Sequence, residues 1–258
     1  VHFDTTGTIT NNMSVYNVLA TQNVTLTGAV TVNNATWDVT TGDTLTINGT
    51  VSGNGGVTKN GGGTLVLSGN NTYLAPTVIN AGILNANNAG ALGSNNTVQV
   101  NGGTLLVSAD DAINGMNITL NGTNTSVATL SFNSMTSNYT GRINNLTLNA
   151  DSIIDMGSAY NIQLEFAIIE MDHHRLSFHN WTGTTLWGGG TGADQDRIYF
   201  GGGNYTLADV HFYSGTTSDS FLGTGFDLGF KPSSFDGGLG GSQIIPVPEP
   251  ETYATGIL

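Results

Sequence analysis

His173, His174 and His179, with Asp172 and Glu170, form the densest group of metal-ligating side chains in the sequence. Zinc sites usually draw their ligands from short paired intervals. His173 and His179 are six apart, and adjacent His173 and His174 would face opposite sides of a strand. The group reads as a polar strand end or loop. Glu165 and Glu170 invite a glycosidase reading, because two carboxylates can act as acid and base or as nucleophile. An odd separation on one strand, however, turns them to opposite faces. No Gly-x-Ser-x-Gly elbow and no Ser/His/Asp arrangement is evident. No catalytic residue and no cofactor is expected.

Gly189-Gly190-Thr191-Gly192-Ala193-Asp194 is similar to the Gly-rich nonapeptide that binds calcium in β-rolls, and Asp194 and Asp196 could supply two oxygens. The pattern wants an aliphatic residue where Asp196 stands, and the copy is single, so an exposed Gly-rich turn is the better reading. Trp181, Trp187, Tyr199 and Tyr205 would stack on sugar rings if exposed; buried, they are core. Polysaccharide lyases on parallel β-helices need cations to neutralise a uronate. The first 150 residues offer only Lys59 and Arg142. Asn-x-Thr/Ser sequons abound, but chance supplies them in a chain this rich in Asn and Thr.

The elements that would carry these residues repeat. Thr44-Leu45-Thr46-Ile47, Thr64-Leu65-Val66-Leu67 and Thr104-Leu105-Leu106-Val107 share one pattern, with Val24-Thr25-Leu26-Thr27 before them and Ala81-Gly82-Ile83-Leu84-Asn85 between. Taking Leu26, Leu45, Leu65, Leu84 and Leu105 as equivalent gives spacings of 19, 20, 19 and 21. Asn48-Gly49, Asn60-Gly61, Asn101-Gly102 and Asn121-Gly122 lie nearby and mark tight turns, since both types tolerate positive φ. Short alternating strands at a period near 20 are the pattern of a solenoid, whose coils must stack to bury their apolar faces. Stacked identical Asn or Thr side chains would form hydrogen-bonded ladders. Hairpins in a sandwich also use Asn-Gly, but a meander has no reason to keep a fixed register. The fold class expected is all-β: a right-handed parallel β-helix with a C-terminal β cap or small β-sandwich and an extended tail.

Gly61-Gly62-Gly63-Thr64-Leu65-Val66-Leu67-Ser68-Gly69-Asn70-Asn71-Thr72-Tyr73, followed by Thr77 to Leu84 and Ala89 to Gly93, resembles the autotransporter-associated β-strand repeat. The resemblance covers about 35 residues and implies a parallel β-helix in a secreted or surface-exposed bacterial protein, typically a stalk.

After residue 150 the composition changes: 15 of 21 aromatic and 13 of 18 acidic residues lie there, but only 3 of 30 Asn. The organisation expected is a repeat region over 1–150, a β cap or sandwich over 151–236, and a Gly-rich linker and Pro-rich tail over 237–258. Val247-Pro248-Glu249-Pro250, in that tail, resembles the PEP-CTERM sorting signal. The resemblance implies export from a Gram-negative bacterium, transient membrane retention and an exosortase-type processing enzyme as partner, with exopolysaccharide a further candidate partner. A start at Val1, without Met or an apolar leader, fits a chain whose signal peptide has been cleaved.

The charge balance is 5 basic against 18 acidic residues, net -13. Five scattered cations cannot make a footprint for nucleic acid. The absence of Cys excludes disulfides and thiol chemistry. The function expected is a secreted structural subunit polymerising head to tail into an extracellular fibre or matrix. Its contacts would be solenoid ends and the tail, through Ile244, Ile245, Val247, Tyr253, Ile257 and Leu258. The alternative is a monomeric surface adhesin or glycan-binding protein.

Overall fold

The structure is a computed structural model, and it describes residues 1–258 except 11, 124, 183–195, 215–220, 228–241 and 248–258. Most strands are short, and many end beside a Gly, Asn or Asp that turns the chain. The first coils contain β1 (His2–Phe3), β2 (Gly7–Ile9), β3 (Met13–Ala20), β4 (Val24–Leu26), β5 (Val30–Val39), β6 (Thr44–Ile47), β7 (Val51–Ser52) and β8 (Val57–Asn60). The middle coils add β9 (Thr64–Leu67), β10 (Thr77–Ile79), β11 (Ile83–Ala86), β12 (Thr97–Val100), β13 (Thr104–Val107), β14 (Met116–Leu120) and β15 (Ala128–Ser131). The last contain β16 (Tyr139–Leu148), β17 (Ser152–Asp155), β18 (Ile162–Glu170), β19 (Leu176–His179), β20 (Arg197–Phe200), β21 (Gly203–Asn204), β22 (Val210–Tyr213), β23 (Phe221–Asp227) and β24 (Ser242–Val247).

Pairing is parallel from coil to coil, as a solenoid requires. One ladder runs β2-β4-β6-β9-β11-β13-β15-β17-β19-β22. A second runs through β8, β10, β12, β14, β16 and β18. A third joins the first half of β16 to β18 and β20. In the first ladder Leu45, Leu65, Leu84 and Leu105 stand opposite one another, as the repeat predicts. Leu26 does not belong to that column: it faces Ile47, and Val24 faces Leu45. Both positions point inward, so an alignment on Leu alone slips by two residues without changing the face.

The column continues through Leu130, Ile154, Phe178 and Phe212, every one of them buried. Its spacing is 19 to 21 residues as far as Leu105 and 24 or 25 from there to Phe178. The ladder therefore crosses residue 150 unbroken. The aromatic residues that become frequent after 150 extend this ladder. Phe178 and Phe212 are register partners with centroids 5.3 Å apart, and Phe166 and Phe200 are partners at 5.5 Å. Rings also fill the interior of the shorter coils, where Trp37 and Tyr73 are fully buried.

The C-terminal end is closed by antiparallel pairing. β23 pairs with β22, β24 pairs with β23, and β24 pairs with β20. The two strands thereby join the last edge of the first ladder to the last edge of the third. Parallel extension from those edges stops here. No helix among the described residues is long and apolar enough to cross a membrane.

Candidate functional site

The clearest ordered polar feature is a spine of asparagines at one corner. Asn60 ends β8, and Asn80, Asn101, Asn121 and Asn149 directly follow β10, β12, β14 and β16. In each of the last four the backbone N–H donates to the coil before: to Lys59, Ile79, Val100 and Leu120. That contact fixes the side chains in line. The carboxamides of Asn80, Asn101 and Asn121 donate to the preceding Oδ1 at 2.8 Å, and that of Asn149 at 2.7 Å. Four bonds thus run in one direction, and each central residue is donor and acceptor at once. Gly follows at 61, 102 and 122, where the corner turns. Gly82, at φ +67, follows Asn80-Ala81 and stands level with Gly63 and Gly103, and a Cβ there would collide with the Gly63 carbonyl.

Lys59 lies beneath this spine. Alternation with Val57 turns it inward, and it is fully buried. Its ammonium donates to the carbonyls of Asn60, Gly61 (2.7 Å) and Ala81 (3.3 Å), the carbonyls of the corner itself. Burial lowers its pKa to about 8, partly offset by the Asp38 carboxylate. The cation thus ties two successive turns together from inside.

The residues singled out from sequence are dispersed. Glu165 is buried and faces Arg142 of the preceding coil at 3.8 Å. Burial raises its pKa, against the pull of Arg142. Glu170 instead accepts the Asn204 N–H at 3.2 Å, so the two glutamates engage different neighbours. Asp172 and His173 have left-handed φ and form a turn rather than a strand. His179 packs on Tyr213 with centroids 4.8 Å apart, and burial lowers its pKa. Among the described residues no group of three or more His, Cys, Asp or Glu could hold a metal ion.

Asp194 and Trp187 lie outside the described residues. Asp196 is buried, with Oδ1 accepting the Ile162 N–H at 2.7 Å and Oδ2 accepting the Thr182 N–H and hydroxyl, both at 2.9 Å. Its oxygens thus hold backbone in place; burial raises its pKa and these bonds oppose the shift. Trp181 and Tyr199 are buried and Tyr205 half-buried against Phe200, so these three rings serve the core. In the tail, Ile244 is buried and its backbone pairs with Ile198 and Asp227 of its own chain. Ile245 and Val247 pair in register with Phe226 and Thr224. Pro248, Glu249, Pro250, Tyr253, Ile257 and Leu258 lie outside the described residues.

The ordered spine and parallel coils define a β-solenoid repeat protein. Residues 57–86, which span β8 to β11, match the model of the Passenger-associated-transport-repeat family. That repeat on a β-solenoid suggests a secreted surface repeat protein, a class typically structural or adhesive. No curated protein and no solved structure matches the chain.

Proposed function

We propose that the chain is a structural subunit of an extracellular fibre or matrix, and that copies join through the C-terminal strand β24. The observation that carries this reading is the place of β24. It completes the end of the stack by antiparallel pairing with β20 and β23 after a long connection from Asp227 that includes Gly237-Gly238-Leu239-Gly240-Gly241. A terminal strand on such a connection can leave its own β20 and pair with that of a neighbour, forming the same bonds between molecules. When each copy gives its strand to the next instead of exchanging strands with one partner, the contact is heterologous and repetition gives a chain of subunits. Stacking of bare solenoid ends is the less favoured route, because β23 and β24 cover two ladder edges at one end. Val247-Pro248-Glu249-Pro250, just beyond, would serve as the sorting signal read by an exosortase-type enzyme during export from a Gram-negative cell.

Electron microscopy and light scattering of the full chain, and of a chain ending at residue 241, test this. The full chain should form filaments at high concentration. The shortened chain, checked for retained β circular dichroism, should stay monomeric. Monomers of the full chain at every concentration would refute the proposal.

A further inference from the structure

At this corner the connections 121–127 and 171–175 are longer than 149–151 between them, and a groove lies over the short one. A recess of about 720 Å³ lies there between three successive turns, walled by Val127, Asn149, Asp151, His174 and Arg175 among others. A second recess of about 290 Å³ shares Val127, Asp151 and Arg175 and extends the groove to Ser177, His179 and Tyr213. The volume is in the range of small-molecule and oligomer sites. We infer that this groove binds a neutral oligosaccharide, laid along the solenoid axis across successive coils.

The walls present what a polyol needs. Asn149 ends the asparagine spine: its amide donates to Asn121, and its carbonyl has no partner among the described residues. Asp151 accepts the Arg175 backbone N–H at 2.8 Å and meets the guanidinium at 3.2 Å. One oxygen pair thereby holds the arginine in place while both side chains stay about half exposed, at 49% and 54%. The remaining guanidinium donors are directed by a planar group that is already oriented, so little side-chain entropy is lost on binding. Val127, 45% exposed, supplies an apolar face for the C–H side of a sugar, and the Tyr213 ring, packed on His179 and His211, borders the second recess. Successive coils are about 4.8 Å apart, so a chain laid along the axis would pass in turn Val127, Asp151 and Arg175, which precede the register partners Ala128, Ser152 and Leu176.

Charge selects a neutral ligand. Arg175 is matched by Asp151, burial keeps His179 and His211 below their ordinary range, and the chain as a whole carries -13. A polyuronate would meet that field with one committed cation. The site is distinct from Trp181, Tyr199 and Tyr205, and it does not depend on fibre formation.

Calorimetric titration of the full chain with β-linked glucose and N-acetylglucosamine hexasaccharides tests the inference, with a uronate hexasaccharide in parallel. Neutral saccharide should bind saturably and with little salt dependence. Arg175→Ala and Tyr213→Ala should each weaken it at least about tenfold, the effect of losing one well-placed interaction. Thr58→Ala, on another ladder, should leave it unchanged. No saturable binding of either neutral hexasaccharide, unchanged binding in both groove variants, or binding of the uronate alone would overturn it.

Discussion

Replacing Asn101 by Ala removes two of the four side-chain bonds in the asparagine spine, one to Asn80 and one from Asn121. Each such bond contributes roughly 0.5–1.5 kcal/mol net. Asn80 and Asn149 are exposed and Asn101 half-buried, so water replaces part of what is lost and the lower half of that range applies. The loss should be about 1–2 kcal/mol for Asn101→Ala and about half that for Asn149→Ala, which breaks a single bond. The double variant Asn80→Ala/Asn101→Ala removes three bonds, although the single variants remove two each, because the two residues share one. Its cost should therefore fall short of additivity by one bond, about 0.5–1 kcal/mol. Native-state hydrogen exchange of amides in β10 to β14 is the suitable assay, since long repeats need not unfold in one step. Full additivity, or an equal cost at Asn101 and Asn149, would show that the carboxamides merely point the same way.

Three further outcomes are expected. Lys59 binds its proton less tightly in the folded chain, at about 8, than in the unfolded chain at 10.5; the wild type should therefore gain stability relative to Lys59→Met as pH rises through that window, and a flat difference in urea melts would contradict the buried ammonium. Leu105→Ala empties a fully buried place in the longest column and should cost about 2–5 kcal/mol in chemical denaturation, with a loss under 1 kcal/mol inconsistent with close packing. Gly82→Ala meets both a left-handed φ and the Gly63 carbonyl, and should lower the thermal midpoint by more than Gly42→Ala, which has positive φ but open space around it.

Much of this architecture is legible in the sequence because its causes are local and periodic. Leu45, Leu65, Leu84 and Leu105 recur at one coil length and so must share a face. Asn60, Asn101 and Asn121 each precede a Gly, which marks the corner on which the spine forms. Leu26 misleads because Val24 and Leu26 both face inward, and spacing alone cannot choose between adjacent inward columns. The aromatic residues after 150 mislead for another reason. Composition reports a change in what fills the interior, whereas the backbone register that carries the ladder is indifferent to it. Lys59 could be placed inward by its alternation with Val57, but its three carbonyl partners come from corners of two coils. The groove leaves still less trace. Asn149, Asp151 and Arg175 carry no motif, and the unequal connections around them show only once the strand bounds are known.

One parallel ladder continues across residue 150, and its register can be measured directly because the chain has no Cys. Thr129 and Ile153 are register partners in adjacent coils and both are only partly buried. Cysteines placed at both positions should close an intramolecular disulfide under mild oxidation, whereas cysteines at 129 and 155 should not. Closure at 129 and 153 alone is the result expected. Failure of that pair, or equal closure of the offset pair, would contradict the continuous solenoid.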